Sequence, residues 1–365
     1  MADTLDELNA LKKEVYGDIA DLVPRAAKIQ QWLNFSQKDK IGEYYTEVLR
    51  LALPQGFTHA LGDGTAGAFA LKGTKAGIQK KVKLQGTQTV LEDLISFEDA
   101  SAALAGGKAS FVSGIGYVLE GLQEAARLRL EGQLLYGGDN IGTIESVGAG
   151  TVSAANVKFV ITAATWAGGL FVGQEGMMAD VYNGTDKIND NADLVLVAVD
   201  CNAHTLEFSG NATDITNLAS SAGHVLNYAS GYGNEQAGIK KILTNTGSLW
   251  GVTWSSYALL NATRVNANGA APTLDLIKSA VMKGYTQGLS GKVKFYLHPT
   301  AWDKVSEDIT DLRKTDKTEV RKVEVGAQDI TLIVQDAEVS ILPHSMVKQS
   351  QAFGLIPNHW KRIGS

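Results

Sequence analysis

The sequence predicts an α+β protein, and three observations carry that expectation. Apolar residues recur three and four apart over one long stretch, Phe111 to Leu130. A block of short runs rich in valine, threonine and aromatic residues fills about residues 140 to 235. Beyond it, helical and strand-like stretches follow one another to the end of the chain.

Taken in order, Leu5, Leu8, Leu11, Val15, Ile19 and Leu22 recur at helical spacing with acids and lysines between them, which predicts an amphipathic helix that Pro24 ends. A second helical stretch is expected over Ile41 to Leu53, closed by Pro54. Gly56, Gly62, Gly64, Gly67, Gly73 and Gly77 then crowd a segment with little apolar periodicity, which reads as an extended loop. Between Asp63 and Glu92 this segment holds no acid but carries Lys72, Lys75, Lys80, Lys81 and Lys83, and its second half, Ile78 to Val90, alternates like a strand.

The stripe of Phe111, Val112, Ile115, Val118, Leu119, Leu122, Ala125, Ala126 and Leu130 predicts a long helix with Arg127 and Glu131 paired four apart. It should stop near Tyr136, where Gly137 and Gly138 offer a left-handed cap. Strands are expected at Phe159 to Thr162, Leu170 to Val172, Asp193 to Val199 and Thr205 to Phe208, with Asp200 to Ala203 as a hairpin turn. The remainder reads as helix Leu274 to Lys283, strand Val293 to Leu297, helix Thr300 to Asp311, then strands Ile330 to Gln335 and Glu338 to Leu342.

Composition narrows the function. The chain has 365 residues with 33 basic against 39 acidic side chains, a formal charge of -6, which argues against tight, direct binding of nucleic acid. A single cysteine, Cys201, forbids an intrachain disulfide and a multi-cysteine zinc site, as expected of a protein from a reducing compartment. Asp3, Asp6 and Glu7 stand where an export signal needs a basic start, so no targeting peptide is expected. The longest uncharged run, Phe159 to Gln174, is shorter than the roughly 20 apolar residues of a membrane helix, and a soluble protein with no membrane partner is expected.

Catalytic and cofactor motifs fail one by one. The histidines at 59, 204, 224, 298, 344 and 359 show no helical i, i+4 zinc pair, so structural roles are expected, His298 before Pro299 marking a strand-to-helix turn. Gly106-Gly107-Lys108-Ala109-Ser110 lacks the upstream glycine of a phosphate loop, where Ala102 stands, and Gly114-Ile115-Gly116 lacks the third glycine of a dinucleotide site. No serine sits in a nucleophile elbow, and Cys201 has only His204 nearby as a base. Asp186, Asp190 and Asp193 make an acidic loop without the glycine and glutamate of a calcium loop, and the triplets at Asn183, Asn211 and Asn261 are sequons by letter alone. No catalytic residue, metal or cofactor is expected, and the chain is not read as an enzyme.

An arm, a long glycine-rich basic loop, one long helix and a β-rich insertion follow in order. In that order the chain resembles a tailed-bacteriophage major capsid protein of the Hong Kong 97 type. The resemblance covers essentially the whole chain: arm 1–55, extended loop 56–105, peripheral domain with spine helix 106–139, β-rich insertion 140–235, axial domain 236–335 and closing strands with the C-terminal segment 336–365. Asn234 to Leu243 and Gly247 to Trp254 look like the entry to the axial domain, Lys292 to Trp302 is similar to its strand, His-Pro turn and helix, with Leu312-Arg313 following, and Val339 to Pro343 with Gly354 to Trp360 resembles the closing strands. The insertion departs from the minimal fold.

The resemblance implies a self-assembling structural subunit, arranged as pentamers and hexamers in an icosahedral head enclosing double-stranded DNA without reading its sequence. It implies a virion protein assembled in the host cytoplasm, with portal, scaffolding and decoration proteins as candidate partners. Leu5, Leu8 and Leu11 in the arm and Lys72, Lys75, Lys80, Lys81 and Lys83 in the loop are the candidate intersubunit contacts, the lysines meeting acids of a neighbour. A cargo-enclosing nanocompartment of the same fold and an unrelated β-rich binding protein or enzyme are the alternatives.

Overall fold

The computed structural model describes residues 27–33, 35–36, 44–59, 73–92, 114–270, 272–315, 330–334 and 337–363. The expected helix Leu5 to Leu22 lies outside them, and so do Leu5, Leu8, Leu11 and Lys72 as contact candidates. The described chain is mixed α and β, with five helices and several sheets. It begins with strands β1 (Phe35–Ser36), β2 (Tyr44–Ala52) and β3 (Ile78–Gln85) and helix α1 (Gly114–Tyr136). Next come β4 (Gly142–Ala149), β5 (Val157–Ile161), β6 (Met178–Asn183), β7 (Asp186–Lys187), β8 (Leu194–Asp200), β9 (Thr205–Ser209), α2 (Ala212–Leu218) and β10 (Val225–Tyr228). The last part holds α3 (Ile239–Thr244), β11 (Ser248–Leu249), β12 (Val252–Thr253), α4 (Leu274–Thr286), β13 (Val293–Leu297), α5 (Pro299–Thr315), β14 (Ile330–Val334), β15 (Ala337–Pro343), β16 (Ala352–Leu355) and β17 (Arg362–Ile363).

These elements form two compact units, neither continuous in sequence. The smaller gathers described residues from Phe35 to Gly86, Leu243 to Arg264 and the last strand, and the larger holds the rest.

Within the larger unit, antiparallel ladders join β4, β5, β9, β8, β6 and β10 in that order, and β10 returns to pair with β4. The result is a closed six-stranded barrel. Its strands alternate, and Ile144, Phe159, Val181, Leu194, Leu196, Leu206, Phe208 and Leu226 are at most 1% exposed. Closure satisfies the backbone groups that an open sheet leaves at its edges. Only β7 stands outside the ring, a two-residue tab on β6. Leu170 to Val172, read as a strand from its apolar run, is instead a 3-10 turn over Gly168–Leu170 and a tight bend after it. Leu170 and Phe171 are fully buried, but their N–H groups bond the Ala167 and Gly168 carbonyls of the same turn, and the Gly169 N–H before them bonds Ser345, so burial came without a ladder.

Beside the barrel, β14, β15, β13 and β16 make a mixed sheet in which β13 and β15 run parallel. Ile277 and Val281 of α4, Ala301 and Val305 of α5, and Val293, Leu297, Val339 and Ile341 of the strands share one core. Thr273 caps α4 by accepting the Leu276 N–H at 3.2 Å. His298 occupies the turn between β13 and α5, where its Nδ1 accepts from the Thr300 N–H at 3.3 Å.

Helix α1 ends as its glycines dictate. Gly138 takes φ +70°, the left-handed conformation that closes a helix. Gly132 serves a different need, because a Cβ there would overlap the Tyr228 hydroxyl of β10. Arg129 lies over the same Tyr228 ring, 3.2 Å from its centroid. The expected Arg127–Glu131 pair does not form: Arg127 bonds Glu124 at 3.1 Å, while Glu131 is wholly buried.

In the smaller unit the stretch expected to be a helix, Ile41 to Leu53, supplies strand β2 over Tyr44–Ala52, paired antiparallel to β3. Tyr44, Tyr45, Thr46 and Val48 are aromatic or β-branched, types that favour a pleated surface, and a strand partner overrode the helical spacing.

Candidate functional site: a cationic ribbon and a buried polar network

The β2–β3 ribbon has two unlike faces, because side chains alternate along each strand. Tyr45↔Leu84, Glu47↔Val82 and Leu49↔Lys80 occupy one. Val82 is 5% exposed there. Thr46↔Lys83, Val48↔Lys81 and Arg50↔Gln79 occupy the other, with Tyr44 and Gln85 at its end. This second face is open: Val48 is 61% and Tyr44 44% exposed, and Arg50, Lys81 and Lys83 are exposed cations with no acid among them. A two-stranded ribbon is marginal alone in water. The β11–β12 hairpin supports β3, the Trp250 carbonyl accepting from the Lys83 N–H at 3.3 Å. Trp250 and Gly251, at φ +52° and +81°, form its two-residue turn.

The sequence-derived contact residues are thus divided. Lys81 and Lys83 share the open face, and Lys80 lies on the opposite one. Lys75 sits apart, its backbone exchanging bonds of 2.8 and 2.9 Å with Gln55. The segment bearing Lys80, Lys81 and Lys83 is strand β3, as the alternation over Ile78 to Val90 predicted, and it ends at Gln85.

A second constellation lies in the larger unit, where α1 meets segments 27–33 and 344–348. Glu131 Oε1 accepts from the Ile29 N–H at 2.7 Å and Oε2 from the Gln30 N–H at 3.1 Å. His344 Nε2 is 3.0 Å from the same carboxylate, and the Met346 N–H donates to His344 Nδ1 at 3.2 Å. Lys28 Nζ donates to the Pro343 carbonyl and Trp32 Nε1 to the Tyr296 hydroxyl, both at 2.7 Å. The carboxylate therefore straps the 27–33 segment to the helix through its backbone.

One turn further along, the Lys348 ammonium is fully buried and donates to Asn140, to the backbone oxygen at 2.7 Å and to Oδ1 at 3.1 Å. It lies 4.4 Å from the Tyr136 ring centroid, and the Lys348 N–H donates to the Tyr136 hydroxyl at 2.9 Å. Burial, with the like charge of Lys240, pushes the Lys348 pKa down to about 7 against the pull of Asp139. No surface of this amine is accessible, so it meets no solute and its role is positional.

Neither network was read from the sequence. Glu131 left a trace, since it stands on the apolar stripe between buried Leu128 and Leu135, three and four residues away. Lys348 left none.

Cys201 is exposed, and partial desolvation of its sulfur with the Asp200 charge raises its pKa, the opposite of an activated nucleophile. Among the described residues no group of three or more His, Cys, Asp or Glu could hold a metal ion, and no helix is long and apolar enough to cross a membrane. Lys187 bridges Asp180 at 2.8 Å and Asp193 at 3.2 Å, so two acids around the 186–193 loop are engaged by a lysine. No protein-family model, characterised protein or solved structure matches this chain.

Proposed function

We propose that the chain is a structural subunit that assembles with its own copies, as pentamers and hexamers, into an icosahedral phage head of the Hong Kong 97 type around double-stranded DNA. The ribbon carries this reading. An open face of Tyr44, Val48, Arg50, Lys81 and Lys83 leaves one side of a two-stranded element uncovered among the described residues, and a second copy supplies the cover. The order of elements supports it: a strapped N-terminal segment, a 23-residue helix, a β-rich insertion and an α+β region in succession. On this reading the chain catalyses nothing, contacts DNA by enclosure, and resides in the virion after assembly in the host cytoplasm. Shell contacts that are individually modest and many in number allow error correction before closure.

Electron microscopy of the purified protein tests the proposal. Closed shells tens of nanometres wide are expected, with nucleic acid inside particles taken from lysed cells. A monodisperse monomer at every ionic strength would overturn it, and shells filled with protein cargo instead of nucleic acid would replace the phage by a nanocompartment.

A further inference from the structure

Charge is divided unevenly along this chain. Residues 142–228, which build the barrel, hold nine acids and two lysines, whereas residues 73–86 hold four lysines and no acid. Three of the barrel's acids are buried and satisfied internally, and Asp193 and Asp200 are engaged by Lys187 and by the Asn202 and Ala203 N–H groups. Asp180 accepts from Lys187, Asn189 and the Ser230 N–H; Glu207 accepts from the loop at 151–156; Asp214 accepts from Asn191 and the Ala192 N–H. Asp186 and Asp190, by contrast, are exposed on and just after the β7 tab. Beside them Tyr182 of β6 stacks on Tyr232 with centroids 4.3 Å apart, and Tyr232 is 41% exposed. The tab is therefore acidic and aromatic, and the open ribbon face is cationic and apolar.

We infer that the open face of the β2–β3 ribbon of one copy docks on the β6–β7 tab of a second copy, setting Arg50, Lys81 and Lys83 against Asp186, Asp190 and the tyrosine pair. This rests on the shell reading and adds to it the two surfaces that meet. Opposite charge steers the encounter, while Tyr44 and Val48 against Tyr232 bury the apolar part. The two patches differ, so the contact is heterologous: every docked copy still offers a free ribbon or a free tab, and the chain of contacts ends only when a ring closes. Exposed ion pairs are individually weak because water solvates both partners, which keeps each contact reversible.

Charge exchange in the full chain tests this. Lys81→Glu/Lys83→Glu and Asp186→Lys/Asp190→Lys are each expected to cut assembly at least tenfold by sedimentation, with circular dichroism unchanged. The chain carrying all four substitutions is expected to assemble again, and an equimolar mixture of the two double variants is expected to recover even-numbered rings, in which the two alternate, but not five-membered ones. Wild-type shells with equally competent double variants would overturn the docking while leaving the shell reading intact. Loss without rescue would also overturn it, as when the lysines meet nucleic acid. A wild type that never associates defeats both. As a measurement free of substitutions, carbodiimide treatment of shells built from mixed light and heavy copies is expected to join Lys81 or Lys83 of one copy to Asp186 or Asp190 of another; links found only elsewhere would refute the contact.

Discussion

Glu131 and His344 meet at 3.0 Å with both side chains entirely buried, although 213 residues separate them in sequence. The Met346 N–H occupies His344 Nδ1, which leaves the ring proton on Nε2, facing the carboxylate. Two backbone amides of the 27–33 segment share the same acceptor. One carboxylate thus joins the helix, the turn after β15 and the N-terminal segment.

Removing that acceptor strands two buried donors, the Ile29 N–H and His344 Nε2–H, and the half-buried Gln30 N–H. Glu131→Ala is expected to lower the unfolding free energy by about 1–3 kcal/mol for each buried donor it leaves unsatisfied. Urea unfolding measures the loss. Hydrogen exchange at Ile29 and Gln30 should quicken in the same variant, and unchanged protection there would show that the strap depends on other contacts.

Lys348 sets a pH dependence. Its folded pKa, about 7, lies below the ordinary lysine value of 10.5, so between these limits the unfolded chain binds a proton that the folded chain does not. Stability should therefore rise from pH 7 toward pH 10, with a slope approaching about 1.4 kcal/mol per pH unit. Above pH 10 the sign reverses. Burial pushes the Tyr228 hydroxyl up to about 12 and the Tyr136 hydroxyl higher still, so the unfolded tyrosines ionise first. Lys348→Met should flatten the rise, which denaturation across pH 7 to 10 would reveal.

Two glycines of α1 should answer the same substitution oppositely. Around Gly121 no atom lies within 4 Å of a new Cβ, so Gly121→Ala should stabilise by roughly 1 kcal/mol through helix propensity. At Gly132 the Cβ meets the Tyr228 hydroxyl, and Gly132→Ala should cost about 1–3 kcal/mol. Thermal melting of both variants decides it.

Glu207 holds the exposed loop between β4 and β5. Its carboxylate accepts from Thr151, Val152, Ser153 and Asn156, and despite burial those donors bring its pKa down to about 2. The stability it confers is complete above the ordinary value of 4.5 and fades as pH falls toward 2. Glu207→Gln should abolish that acid dependence and open residues 151–155 to limited proteolysis.

Much of the secondary structure was legible because the local signals agreed. Val293 to Leu297 became β13 at the expected limits, His298 turned the chain, and Gly137-Gly138 ended α1. Leu274 to Lys283 and Ile330 to Gln335 likewise appear as α4 and β14 with ends shifted by a few residues. The misreadings share one cause. Apolar spacing in Ile41 to Leu53 suited either period, and Leu170-Phe171 needed burial without needing a ladder, so the neighbour in space made the choice.

Of the candidate contact residues, the sequence located the lysine run but not its division. Pairing with β2 puts Lys81 and Lys83 on the open face and Lys80 on the other, a distinction that exists only once a register is set.

The sequence by itself determined the α+β class, the long helix and its glycine stop, three of the six barrel strands (β5, β8 and β9) and the acid-free lysine segment, because each depends on residues near one another in the chain. The tertiary structure alone decided that six strands close into a barrel, that Glu131 turns inward and that Lys348 is buried against Asn140 and Tyr136. Those outcomes join groups from 82 residues apart, at Val225↔Thr143, to 213 apart, and the free energy of a buried charge or a closing ladder is set by what arrives at its side, which no local pattern encodes.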